Sequence, residues 1–350
     1  MIMSTGLLPE IGRFRLACSV PHPEDGTSFY RAMGPLGAMV KEEPRLDLSL
    51  PRPAPGGWDL GWDWLSQCHA AFLQRPFHPV HLQFCKLVKA MNMPLWVDWD
   101  DDVRCIPHSN PYSASFGDTE SVRDCIWQIC QLADVVTCAT LELCRRMRAT
   151  ARVIPNALHF KFYNEPRQRR ISWRGAAGHE EDLVTILPQL GELSRLPQLS
   201  MWRWLFLGDV AWQVEEAIAP ALLETVPGAV LQFMVPLLAL QGPYVHIVPL
   251  KSNSFNLCKS NIAWIEATCA GAVVLAPDLE EWRRPGIINY TDPKDFQVKL
   301  RALMQEYRDG AMHPGVYESR AYLQEQLRLD QVNQARWQIL NELWPKRPLI

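Results

Sequence analysis

The densest group of residues able to do chemistry is the run NSFNLCKSNIAWIE (253–266), which leads through residues 267–271 into an apolar stretch at 272–275. A short β-rich run at 246–248 precedes it. Asn256, Lys259 and Ser260 are therefore expected at the carboxyl end of a strand, opening a helix over 259–270. A helix start gathers unpaired N–H groups and the positive end of the peptide dipole, a combination that suits a diphosphate. Lys259 adds a point charge there, and Glu266, two turns further on, is placed to accept hydrogen bonds from ribose hydroxyls. The plainer reading is a capped helix with Lys and Glu on a wet face, and spacing alone does not separate the two.

A second group is the acidic run Asp98, Asp100, Asp101 and Asp102 at the end of an apolar strand, 95–98. Spaced as D-x-D, such carboxylates can hold a divalent cation. They can equally hydrogen-bond hydroxyl groups, or form a solvated loop in which Asp102 serves a turn. His108, in PHSNP (107–111), is a candidate to polarise a reacting group or touch a phosphate, against the ordinary role of a loop histidine. GTSFYR (26–31) follows the first strand and can bring Arg31 or backbone amides to its end. It is neither G-x-G-x-x-G nor a P-loop, so nicotinamide and P-loop chemistry are not indicated. Spacing supplies no Ser/His/Asp or Cys/His nucleophile set.

The elements that must position these residues alternate between short β-rich runs and amphipathic helices, the pattern of parallel sheets with crossover helices. Strands are expected at 14–20, 70–74, 95–98, 135–138 and 152–154, with helices at 29–40, 80–91, 119–133 and 141–148, and a loop at 51–61. A polar, basic stretch at 161–170 marks a linker. The pattern then restarts with strands at 171–173, 204–207, 230–234, 246–248 and 272–275, and helices at 180–190, 259–270 and 296–307. A long helix over 319–343 closes the chain.

The 350 residues suit two domains, each able to bury its own core. A net charge of −3 supplies no global drive toward nucleic acid or anionic lipid. The ten cysteines form no CxxC pair or zinc-spaced cluster and fall in apolar stretches, so they are expected as reduced core residues of a cytoplasmic protein. No uncharged run reaches the roughly 18 residues of a membrane span, and the first residues lack an apolar leader core. The 14 tryptophans are read as packing residues, a few of them able to stack on sugars.

The 253–266 run resembles the C-terminal signature of retaining GT-B glycosyltransferases, especially a family 4-like branch found in bacteria and tailed phages that reads N-x-F-N-x-x-K-S and then a Glu. LQR (73–75), PLWVDWDDD (94–102), IPHSNP (106–111), ADVVTC (133–138), VIPNA (153–157), and WRG (173–175) with His179 and Asp182 resemble further motifs of that branch, in the same order. The resemblance implies an α/β fold of the GT-B kind, two Rossmann-like domains facing each other across a cleft. Residues 1–160 would form the acceptor domain, 161–325 the nucleotide-sugar domain, and 326–350 a helix packing back toward the first.

The activity implied is transfer of a sugar from a nucleotide-sugar co-substrate, such as a UDP- or GDP-sugar, to an acceptor hydroxyl, with retention and without a metal or other cofactor. Arg174, Lys259, Asp100 and His108 are then the catalytic candidates. His179, Asn253, Asn256, Ser260 and Glu266 fall on the donor, and Arg31, Asp101 and Asp102 on the acceptor side. Many relatives carry a second acid eight residues before the Glu. Cys258 stands there in this chain, so either Asn253, Asn256 and backbone groups hold the sugar, or the donor differs. The phage relatives point to a hydroxymethylated pyrimidine in DNA as acceptor, the bacterial ones to a polysaccharide or other glycan. The basic runs RRMR (145–148) and RQRR (167–170) are candidates to meet a DNA backbone, or else a solvated helix end and a linker. A non-catalytic nucleotide-sugar binding protein and a nucleotide-sugar epimerase remain as alternatives of the same architecture. The location implied is the cytoplasm of a bacterium or of a phage-infected host.

Overall fold

A computed structural model describes residues 12–54, 57–111, 113–116, 120–210, 212–227 and 234–344. They form two compact units, drawn from the segments Met1–Arg104, Phe116–Leu158 and Leu329–Ile350 for the first, and Cys105–Ser115 and His159–Arg328 for the second.

The first unit contains strands β1 (Phe14–Ser19), β2 (Leu46–Ser49), β3 (Arg52–Ala54), β4 (Gly57–Asp59), β5 (Ala70–Gln74), β6 (Leu95–Trp99), β7 (Val135–Cys138) and β8 (Arg152–Val153). Six of them make a parallel sheet in the order β2-β1-β5-β6-β7-β8. β5, β6 and β7 are buried at every position, which is why they read as unbroken apolar runs: helices cover both faces of the sheet. β3 and β4 pair as an antiparallel ribbon where a loop is expected, and a ribbon made of two edge strands tolerates its proline.

After β1 the chain enters a helical turn, Gly26–Ser28, capped by Asp25, whose Oδ1 accepts from the Ser28 amide at 2.6 Å. A π turn, Phe29–Met33, leads into the helix Gly34–Glu42. Pro35 near its start has no N–H to give, and the wider turn, with Gly34 N–H on the Phe29 carbonyl, absorbs that missing bond.

The second unit has strands β9 (Gln168–Gly175), β10 (Arg203–Gly208), β11 (Leu223–Val226), β12 (Pro243–Ile247), β13 (Val273–Pro277) and β14 (Ile287–Tyr290), all parallel in the order β11-β10-β9-β12-β13-β14. Its core gathers Trp173, Trp204, Phe206, Leu190, Val245 and Phe296, all nearly or wholly buried. Truncating Phe296 or Trp204 to Ala should cost about 3–5 kcal/mol.

Several boundaries differ from expectation. The basic stretch 161–170 is not all linker, because β9 begins at Gln168. The helix expected at 180–190 is two, Glu180–Val184 and Leu187–Ser194, the second begun by Pro188 near its start. Of the strand expected at 230–234, residues 230–233 lie outside the described residues and Met234 opens the helix Met234–Gln241. The closing helix is also two: Pro314–Gln326 belongs to the second unit and Leu329–Leu343 to the first. There Asn333 donates to the Pro35 carbonyl at 3.1 Å, and Trp344, just beyond that helix, stacks on Phe14 at 4.4 Å.

Both sheets reverse direction at one point. From β1 the chain goes to β2 on one side and to β5 on the other; from β9 it goes to β10 on one side and to β12 on the other. Such switch points, at the carboxyl ends of the strands, are where open α/β sheets bind ligands. All ten cysteines are unbridged and nine are buried. Among the described residues, no helix is long and apolar enough to cross a membrane.

Candidate functional site

The carboxyl end of β9 carries Arg174 and Gly175. Gly208, at the end of β10, has φ +106°, and a Cβ there would overlap the Gly175 carbonyl, so this approach of two strand ends requires glycine. The chain then passes through a tight turn, Ala177–His179, into the helix Glu180–Val184. Asp182 in that helix is buried and acts as a hub. Its Oδ1 accepts from the Lys251 amide at 2.9 Å and from Asn256 Nδ2 at 2.7 Å, while its Oδ2 lies 3.1 Å from His179 Nδ1. Asp182 thereby ties the loop after β9 to the loop after β12.

The second loop is closed on itself. Asn253 Oδ1 accepts from the Asn256 amide at 2.8 Å, and Asn256 Nδ2 also donates to the Lys251 carbonyl at 3.1 Å. The Lys251 ammonium pairs with Glu181 at 3.0 Å. The two loops wall an open recess of about 310 Å³ together with Pro107, Ser109 and Asn110. His179, Asn253 and Asn256 are thus brought together around Asp182, which was not among the site residues expected from the sequence. Its signal in the sequence was the i, i+3 spacing from His179.

Beside this scaffold, Arg174 Nε lies 2.6 Å from Glu266 Oε2. Glu266 is wholly buried, and the contact is angled too poorly to count as a hydrogen bond. Arg174 Nη2 is also buried and has no hydrogen-bond partner among the described residues. Next to them His246, 1 % exposed, shares a 2.8 Å hydrogen bond with Ser172 Oγ. Burial, with the Arg174 charge in support, pushes its pKa down to about 3, so its ring is neutral at ordinary pH.

The helix expected to open at Lys259 starts later. Asn256–Cys258 forms a 3₁₀ turn, Lys259 is extended, and Asn261 is the residue before the helix Ile262–Ala270. Lys259 and Ser260 therefore precede the helix rather than begin it, and the Lys259 ammonium lies 4.3 Å from the centre of the Phe255 ring. Glu266 is not on a wet face. Trp264, Ile265 and Ala267 are buried with it, and that apolar flanking is the trace its burial leaves in the sequence.

In the first unit the acidic run is threaded by arginines. Arg31, 1 % exposed, grips Asp98 through two bonds of 2.8 and 2.7 Å and donates its remaining reach to the Ile154 carbonyl and Asn156. Its donors are spent inside the strand ends, where an acceptor-side role had been expected. Asp100 is bound by Arg75 through both carboxylate oxygens, with Nε–Oδ1 at 2.7 Å, and Asp101 lies 3.3 Å from the same guanidinium. Burial works against the Arg75 charge, but the two carboxylates outweigh it and leave the group more basic than usual. Asp102 is buried between Arg104 at 2.7 Å and Arg146 at 3.8 Å. Among the described residues no three acid, His or Cys side chains form a metal-binding group. His108 is exposed, in the segment Cys105–Ser115 of the second unit, and its carbonyl accepts from Ser113 Oγ at 3.0 Å.

The basic runs are largely occupied as well. Arg146 pairs with Glu142 and Arg148 donates to the Cys130 and Ala133 carbonyls. Arg167 is buried on the Ala270 and Glu165 carbonyls, Arg169 pairs with Asp309, and Arg170 pairs with Glu224.

No protein-family model matches the chain, and no curated protein matches its sequence. Solved structures do resemble it. Anabaena Alr3699/HepE in complex with UDP aligns over 94% of this chain and 100% of its own with a TM-score of 0.61 at 10% identity. The lipopolysaccharide outer core galactosyltransferase WaaB aligns over 94% and 100% with a TM-score of 0.61 at 12% identity. The UDP-GlcNAc 2-epimerase from Neisseria meningitidis bound to UDP-GlcNAc aligns over 94% and 99% with a TM-score of 0.54 at 10% identity. Identities this low speak to architecture alone, and the architecture is the GT-B fold, two Rossmann-like α/β units in one chain.

Proposed function

We propose that the protein is a glycosyltransferase that takes its sugar from a nucleotide-sugar donor held by the second unit at the β9/β12 switch point. The observation that carries this reading is Arg174: a guanidinium oriented by a buried carboxylate, with a buried N–H group still unspent, at the end of the central strand. A donor's departure from its anomeric carbon builds negative charge on the leaving phosphate. Arg174 and Lys259 can stabilise that charge through fixed electrostatics, without a metal ion. Asp182 holds His179 and Asn256 in place for the diphosphate and sugar. Ser260 and the amides before helix Ile262–Ala270 add neutral donors, and Glu266 sets the angle of Arg174 while standing next to the expected ribose position. Cys258 is wholly buried and Asn256 is buried with its amide nitrogen given to Asp182 and Lys251, so half-exposed Asn253 is the asparagine of that loop placed to meet a sugar.

An acceptor hydroxyl then attacks the anomeric carbon from the face the diphosphate leaves, and its proton passes to the departing phosphate. This retaining course rests on the sequence resemblance. A glycan acceptor fits better than duplex DNA, because the two basic runs meant for a DNA backbone are engaged within the fold. The likeness to HepE in complex with UDP and to the UDP-GlcNAc epimerase favours uridine as the donor nucleoside.

Thermal-shift titration with UDP, GDP and their sugars tests the reading, since a ligand that binds only the folded state stabilises by RT ln(1 + [L]/Kd). UDP or GDP stabilisation that Arg174→Gln removes is the expected result. No stabilisation by any nucleotide sinks the proposal, and conversion of UDP-GlcNAc to its C2 epimer without transfer favours the epimerase.

A further inference from the structure

The first unit has its own switch point, at the carboxyl ends of β1 and β5, and polar atoms there are left without partners. β5 ends at Gln74, which is 4 % exposed, and neither its amide oxygen nor its amide nitrogen has a hydrogen-bond partner among the described residues. Ser28, wholly buried in the helical turn that follows β1, also has an unpartnered hydroxyl. Buried amides and hydroxyls are nearly always paired, so two of them at one switch point call for a missing partner.

The two loops are close. Asp25 caps the turn holding Ser28, and its charge acts on Arg75, the residue after Gln74. Arg75 adopts φ +49°, a conformation costly for any residue but glycine. Its guanidinium turns onto Asp100 and Asp101, so it is not a free cation. The charges around Arg31 and Arg75 are those two and Arg336 against Asp25, Asp98, Asp100 and Asp101, one more carboxylate than cation. A phosphate or carboxylate ligand would meet net repulsion. An amide offering donor and acceptor side by side, with a hydroxyl that can do either, instead suits the adjacent hydroxyls of a neutral polyol.

We propose that Gln74 and Ser28 bind a neutral, hydroxyl-rich ligand, a sugar ring or comparable polyol, and that Gln74 determines its specificity. Naming that ligand the acceptor rests on the glycosyltransferase reading; the site itself does not.

The test uses the full chain with Gln74→Met, nearly isosteric and apolar, and Ser28→Ala. Saturation-transfer NMR with methyl glucoside, methyl galactoside and methyl N-acetylglucosaminide reads the site, with a duplex containing hydroxymethylcytosine as the anionic comparator. At least one glycoside should show transfer that drops fivefold or more in each variant. The melting temperature of Gln74→Met should hold or rise, because an unpaired buried amide is replaced by apolar atoms of the same shape. A fall of several degrees means that the amide already has a structural partner and overturns the proposal. So does a wild-type protein that binds no glycoside, or one that binds only the duplex. UDP stabilisation is measured on the same samples. Its absence overturns the donor reading and leaves the glycoside result standing, whereas glycoside failure with UDP binding intact overturns this inference alone.

Discussion

Replacing Arg174 by Gln tests the central electrostatic element directly. Glu266 is wholly buried, and Arg174 Nε at 2.6 Å is the cation beside its carboxylate. Removing one partner of a buried ion pair costs about 3–5 kcal/mol. For a domain of this size 1 kcal/mol moves the melting temperature by about 2–4 °C, so the second unit should melt roughly 6–20 °C lower. The double variant Arg174→Gln with Glu266→Gln removes both charges and should recover at least about 2 kcal/mol of the loss, a coupling expected only of residues in contact. Urea unfolding of wild type, both single variants and the double variant measures that coupling. Ligand binding should not recover with it. At 100-fold excess over Kd a nucleotide stabilises the wild type by about 2.7 kcal/mol, and a tenfold weaker affinity reduces this to about 1.4 kcal/mol. A single variant that loses less than 1 kcal/mol, or a double variant no more stable than the single, would refute the reasoning that the two charges are coupled in the fold.

His246 gives a pH signature. Its pKa is held at about 3 in the fold, against about 6.5 when unfolded, so between those values the unfolded chain binds the extra proton. Its contribution is complete above pH 6.5 and is lost as the pH falls toward 3, at up to about 1.4 kcal/mol per pH unit. His246→Asn should flatten the stability–pH slope between pH 6 and 4 by close to that amount; equal slopes in urea titrations would show that the ring is not buried neutral. Lys259→Ala should weaken nucleotide binding about tenfold, with ~1 kcal/mol of stability lost from its contact with Phe255. Transfer measured in EDTA should match that in buffer, and a loss restored by manganese would return the Asp98–Asp102 run to the metal reading.

How much of this was legible depends on where each residue's partners lie in the chain. β5, β6 and β7 read correctly because both faces are covered and the apolar run is unbroken, whereas the edge strands β11 and β14 are half-exposed and carry no such pattern. The misplaced helix start has a local cause. Asn253 closes the 253–256 turn with its side chain, a competing bond that ends in a 3₁₀ turn and moves the helix on to Ile262. The break at Leu327 and Arg328 left no mark, since neither residue disfavours a helix; it falls where the chain leaves the second unit for the first.

The acidic run shows why side-chain roles are harder to read than strands. Asp98 to Asp102 invite a cation when seen in sequence, but Arg31 and Arg75 reach them from 67 and 25 residues away, a pairing that only strand order creates. Once such pairs are formed, what is left unpaired becomes informative. At the β9/β12 reversal one such group is Arg174 Nη2, an extra donor fit for an anion. At the β1/β5 reversal Gln74 and Ser28 are others, neutral groups amid one carboxylate more than the cations around them, fit for hydroxyls. The two switch points therefore differ in charge as a donor diphosphate and a neutral acceptor differ, and transfer between such partners is what this difference supports.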